Sequence, residues 1–233
     1  MGKKRALLVA LKSNNPNMID SHISCHRFEE CITKHCGFLP QDICKIIDDK
    51  DSKPHEVSRD AILRQLYFFD GMTKSGDVLL FYYAGHGQLE KGYPALLMND
   101  QSTITGQHLQ PVVVNLNARK AVFTVIADCC HSGGLLRYAY EQIGNSVVDR
   151  GEMQRQGILL SACQQLQVSL GTVESGLIFT ELLIQFIAEA NGIITYWDLI
   201  TKVKLALCKI GAIQIPGLYC TDEEAKAQIF EHF

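Results

Sequence analysis

Residues 121–134 read AVFTVIADCCHSGG. Ala121 to Ala127 are apolar or β-branched throughout, the composition of a strand buried on both faces inside a parallel sheet. The strand ends on Asp128, followed by Cys129, Cys130 and His131, then the turn-forming run Ser132-Gly133-Gly134. Open α/β sheets place their sites just beyond the carboxyl ends of such strands. Asp77 to Tyr83 (DVLLFYY) repeats the plan and leads into Ala84-Gly85-His86-Gly87. If these two strands are neighbours, His86 and Cys130 emerge side by side at one edge of the sheet.

Outward from this pair, Arg5–Leu11, Ile43–Ile47 and Gly157–Ala162 read as further strands, and 214–219, with Pro216, as an edge strand. Helical periodicity runs through 19–36, 57–69 and 177–190. Thr195, with Asp198 three residues on, opens another helix, and Asp222 begins a short last one. The span 86–94 reads as loop, and 99–117 as a long loop carrying a short strand at 112–114. Strands alternating with helices specify an α/β fold, a mainly parallel sheet with helices on both faces.

A chain of 233 residues, 47% hydrophobic and 20% charged, fits one domain with a sizeable core. A formal net charge of −3 gives no basic stripe for a nucleic-acid backbone; Lys3-Lys4-Arg5 is a short solvated cluster. The apolar run Ala6–Leu11 is too short for a secretory segment, and no stretch reaches membrane-spanning length. Nine cysteines, an odd number without framework spacing, read as reduced thiols in a cytoplasmic setting, most of them in the core.

Six of the possible metal ligands, His22, Cys25, His26, Cys31, His35 and Cys36, cluster within fifteen residues. A zinc module is one reading. The same cysteines lie on the apolar face of the first helix, which accounts for them as core residues, and no closing C-x-x-C supports a metal. No metal ligand is therefore assigned.

A cysteine attacks a carbonyl as thiolate, and a nearby imidazole takes its proton and later protonates the leaving amine. The tetrahedral intermediate needs donors aimed at its oxyanion. Gly87 permits close backbone approach, and the N–H of Cys130 is a natural second donor. The histidine precedes the cysteine by 44 residues, which excludes the papain order.

YYAGHG at 82–87 and DCCHSGG at 128–134 resemble the paired motifs of metacaspases and caspase-like cysteine peptidases. The similarity extends over most of the chain: ALLVAL, SGDVLLFYYAGHG, ILLSAC, GLIFT and the Gln214-x-Pro216 segment. The resemblance implies a single caspase-like three-layer domain over 1–233, with 1–135 large-subunit-like and 157–233 small-subunit-like. It places the nucleophile on Cys130 and the dyad histidine on His86, with Cys129 as the rival thiol. It implies that Asp128 lines the pocket for the residue before the scissile bond, favouring cleavage of protein substrates after Arg or Lys. Asp128 also has a plainer reading, as an acid that caps the turn or fixes His131.

On the same specificity Arg137, Arg150 and Arg155 are candidate self-cleavage sites. Many members are activated by calcium and carry an acidic stretch soon after the histidine. Here that stretch is Leu89-Glu90-Lys91-Gly92-Tyr93-Pro94, so the sequence argues against calcium and asks for no cofactor. The resemblance leaves monomer and dimer open. Besides the peptidase, a latent caspase-like module that works by binding partner proteins fits the same residues.

Overall fold

The computed structural model describes residues 2–12, 21–49, 51–53, 55–136, 139, 141–144, 157–169, 171–172 and 176–231. In chain order the first half gives β1 (Lys4–Ala10), α1 (Ser21–His35), β2 (Ile43–Ile47), α2 (Arg59–Met72) and β3 (Val78–Ala84). Next come β4 (His86–Glu90), β5 (Tyr93–Leu97), β6 (Thr103–Thr105), α3 (Gly106–Ala118), β7 (Val122–Asp128) and β8 (Glu141–Ile143). The remainder holds β9 (Ile158–Ser161), β10 (Gly171–Thr172), β11 (Gly176–Leu177), α4 (Ile178–Glu189), α5 (Tyr196–Lys209), β12 (Gly217–Tyr219) and α6 (Asp222–Lys226).

Seven strands form one sheet in the order β2-β1-β3-β7-β9-β12-β8. The first five run parallel, and β12 and β8 run antiparallel to their neighbours. Buried side chains alternate between the two faces, as strand geometry requires. Leu80, Tyr82 and Ile126 pack with α1, α4 and α5, whereas Leu79, Phe81, Tyr83 and Val125 pack with α2 and α3. Ser58 caps α2 by accepting from the Ala61 N–H, and Thr195 caps α5 by accepting from Asp198. Among the described residues, no helix is long and apolar enough to cross a membrane.

Three expectations need correction. The span 99–117 is not a loop with a strand at 112–114. It holds α3, whose buried Leu109, Val112, Val113 and Leu116 follow helical spacing; the β-branched run and Pro111 obscured that period. The span 86–94 is mostly hairpin, with β4 pairing antiparallel to β5. The segment around Pro216 is not an edge strand, because β8 covers the outer side of β12. The proline falls just before the paired residues, so no ladder bond is lost.

At the amino end of the sheet, Asp77 accepts from the N–H groups of Lys3 (2.7 Å) and Lys74 (3.0 Å) and from Arg5 (3.0 Å). Burial would raise its pKa, but these donors outweigh burial and hold the carboxyl below its usual range. Its contribution is therefore present above the unfolded carboxylate pKa of about 4 and is lost as pH falls below it. Both side chains of the Arg5–Asp77 pair are only 9% exposed. We expect Asp77→Ala, which leaves Arg5 buried and unpaired, to cost about 3 kcal/mol in urea denaturation at neutral pH.

Candidate active site

β3 and β7 are adjacent, and Ala84 stands level with Asp128. Two residues further along each strand come His86 and Cys130, both partly exposed. The two backbones touch beyond the sheet: the Gly85 N–H donates to the Asp128 carbonyl at 3.3 Å. A Cβ on Gly87 would stand 2.0 Å from the Cys130 carbonyl oxygen and 2.8 Å from the Cys129 sulfur. Only a glycine lets the chain after His86 lie this close to the turn at Cys130.

Each side of the pair is held from below. The hydroxyl of Tyr83 lies 2.9 Å from the His86 carbonyl and 2.7 Å from that of Leu97, bridging the open end of the β4–β5 hairpin. On the other side, His131 adopts a left-handed conformation (φ 57°), uncommon for a non-glycine residue. Its N–H donates to the Gln167 carbonyl at 2.9 Å, and its Nδ1 lies 2.7 Å from the Gln165 carbonyl. A carbonyl can only accept, so Nδ1 carries the proton. Gln165 also donates from Nε2 to the Gly92 carbonyl at 2.8 Å, tying the turn at Cys130 and His131 to the hairpin that follows His86. The Cys163 sulfur lies 3.3 Å from the carbonyls of both Cys129 and Gln167, with one hydrogen to give between them.

The strand period separates the neighbouring candidates. Cys129 is 1% exposed among the α2/α3-side core, and burial pushes its thiol well up. Asp128 points to the opposite face and is 0% exposed. One carboxylate oxygen accepts from Ser169 (2.8 Å), the other from the N–H (3.0 Å) and hydroxyl (2.7 Å) of Thr180 at the start of α4. Burial nevertheless prevails over these bonds and pushes its pKa up to about 6.

The sequence did not single out Thr180, Ser169, Gln165 or Gln167. The last three follow the carboxyl end of β9, a place where α/β sheets carry function, and that position was the available signal. Arg137, Arg150 and Arg155 lie outside the described residues.

In the Cys/His-rich helix, His22 pairs with Asp48 at 2.6 Å and His35 with Asn191 at 3.0 Å. Cys25, Cys31 and Cys36 are buried against the core. Among the described residues, no three His, Cys, Asp or Glu side chains come together as a metal-binding group. The nine cysteines are all free thiols; Cys208 is exposed, and Cys44 and Cys130 are partly so.

A family model described as the caspase domain matches residues 3–228. The chain belongs to the caspase-domain family. Metacaspase-7 of Arabidopsis thaliana is 30% identical over 161 residues, covering 63% of this chain and 39% of that relative. Metacaspase-9 of the same plant is 32% identical over 160 residues, covering 62% and 49%. Metacaspase-3 of Trypanosoma cruzi is 28% identical over 216 residues, covering 77% and 60%. The chain thus spans between 39% and 60% of the length of these relatives. Caspase-1 from Spodoptera frugiperda superposes with a TM-score of 0.63 at 12% identity, over 93% of this chain and 86% of that one. A protein from Geobacter sulfurreducens does so at 0.69 and 14%, over 99% of both. At such identities the likeness speaks for the fold, an α/β caspase-like sandwich.

The close approach at Gly87 gives a direct test. We expect Gly87→Ala to destabilise the protein by about 1–3 kcal/mol in urea denaturation. Gly71→Ala, within α2 and with nothing within 4 Å of the new methyl, should gain up to about 1 kcal/mol from helix propensity.

Proposed function

We propose that the protein is a cysteine endopeptidase in which Cys130 attacks the peptide carbonyl and His86 acts first as general base, then as general acid. The observation that carries this reading is the register of β3 with β7, together with the contact of Gly87 on Cys130, which puts both residues at one sheet edge. The Cys130 thiolate adds to the carbonyl carbon, and the N–H groups of Gly87 and Cys130 are the proposed oxyanion donors. Collapse of the tetrahedral intermediate expels the amine with a proton from His86. Water, deprotonated by the same imidazole, then hydrolyses the thioester and regenerates the thiol. This sequence is complete without a metal or cofactor.

Asp128 is the proposed selector of Arg or Lys before the scissile bond. Its support is a buried carboxylate two residues before the nucleophile, which a substrate cation would stabilise in its ionised form. The cation would have to take the place of Ser169, whose hydroxyl can rotate away. On this specificity Arg137, Arg150 and Arg155 become candidate self-cleavage sites.

A second reading, a latent module that acts by binding partner proteins, draws on one observation. Every oxygen of the Asp128 carboxylate already has a donor, and the group is shut off from solvent.

Fluorogenic peptides ending in Arg, Lys or Asp, assayed with and without calcium, separate these readings. We expect cleavage after Arg or Lys that is abolished by Cys130→Ala and retained by Cys129→Ala. Activity that survives Cys130→Ala contradicts the nucleophile; cleavage only after Asp keeps the dyad and contradicts the role of Asp128. With burial pushing the Asp128 pKa up to about 6, its carboxyl takes up a proton as pH drops through that value, and preference for an Arg over an uncharged substrate should fall with it. Asp128→Asn should remove both the preference and its pH dependence.

A further inference from the structure

Beside the candidate site lies a cleft of about 200 Å³ that the dyad itself does not line. Its walls are the tip of the β4–β5 hairpin (Lys91, Tyr93, Pro94), the first turn of α3 (Gln107) and Gly134–Leu135, beyond the nucleophile's turn. Both chains that carry the dyad run into it. His86 begins β4 and the hairpin tip ends it; Gly134 comes four residues after Cys130.

The two faces of the sheet say which end of a substrate this cleft would meet. Asp128 projects to the α1/α4 face, where Thr180 receives it. The cleft is on the other side, with Gln107 on α3, a helix that packs with Cys129 and Val125 on the opposite face. A peptide that crosses the carboxyl edge of the sheet from the Asp128 face, with its scissile bond at Cys130, continues onto the α3 side. β4 takes four residue steps from His86 to the hairpin, about 13 Å at the rise of a strand. An extended peptide covers that distance in three to four residues.

We propose that this cleft is the subsite for the third and fourth substrate residues after the scissile bond, and that it takes an apolar side chain there. The proposal rests on the Cys130–His86 reading of the site. The chemistry follows from the walls. Tyr93 is 50% exposed beside Pro94, and Leu135 is buried at the back. Of the polar groups on the walls, Glu90 is occupied by the Thr103 hydroxyl, His108 accepts from the Thr105 N–H, and Lys91 is exposed to solvent. The tip is also braced, since Gly92 receives the Gln165 amide, so the wall is set before substrate arrives.

Calorimetry on the full chain carrying Cys130→Ala tests this without turnover. One peptide ends at an amidated Arg; a second continues for four residues with Leu at the third and fourth; a third has Asp at those places. We expect the Leu peptide to bind about ten-fold tighter than the short one, as burial of one apolar side chain would give, and the Asp peptide to show no gain. Gln107→Trp, made at an exposed position of α3, should fill the cleft and erase the gain without changing Tm. Equal binding of all three peptides, or a gain that survives Gln107→Trp, overturns the subsite. A wild-type chain that binds the Leu peptide tighter yet cleaves nothing would count against the dyad reading and leave the subsite standing.

Discussion

Seven consecutive backbone pairings join β3 to β7, from Val78 with Val122 to Ala84 with Asp128. Because strand side chains alternate with a period of two, a slip of one residue would turn every one of them to the wrong face. Tyr82 and Ile126 would leave the α1/α4 core, Tyr83 and Ala127 the α2/α3 core, and Asp128 would change places with Cys129. Both strands are apolar on both faces, so the fit of these particular side chains into the two cores, rather than an apolar–polar alternation, fixes the register, and the register fixes which residues leave the sheet together. The placing of the His86 and Cys130 backbones at one sheet edge is a consequence of core packing.

Buried polar groups extend this constraint into the helices. Thr180 has one hydroxyl hydrogen, which goes to Asp128, so Tyr82 must donate to Thr180 across their 2.9 Å contact. The Tyr82 ring in turn stacks on Phe28 of α1, with ring centroids 4.6 Å apart. One hydrogen-bonded chain thus links β7, α4 and β3, the ring stack extends it to α1, and each polar member is satisfied, as burial requires. On the opposite face Tyr83 does the corresponding work for the hairpin, holding the carbonyls of His86 and Leu97. Two adjacent tyrosines on one strand brace the two flanks of the candidate site.

The sequence made the central strands and the pair of motifs legible because these segments are long, apolar and followed by glycine turns. Ile43–Ile47 was placed to the residue, and the Thr195 cap was readable from its side-chain type and its spacing to Asp198. The region between the motifs was not. In α3 a helical period is carried by valines next to a proline, so composition and spacing pointed in opposite directions, and burial against β7 settled the conflict. The β4–β5 hairpin has neither alternation nor a strong turn dipeptide. Its pairing depends on Tyr83 and on Gln165, which is remote in sequence. The donors to Asp128 were invisible for the same reason: Thr180 lies 52 residues away and reaches the carboxylate only once α4 has docked.

The proposed peptidase requires that the His86 imidazole serve the Cys130 thiol. The most direct measurement of this is the rate at which iodoacetamide alkylates Cys130 near pH 7, with the labelled residue located by peptide mapping, in the wild-type chain and in His86→Ala. Removal of the proton acceptor should slow alkylation of Cys130 at least about ten-fold, while labelling of the exposed Cys208 stays constant. Equal rates at Cys130 in the two proteins would contradict the claim, because the histidine would then have no hold on the thiol beside it.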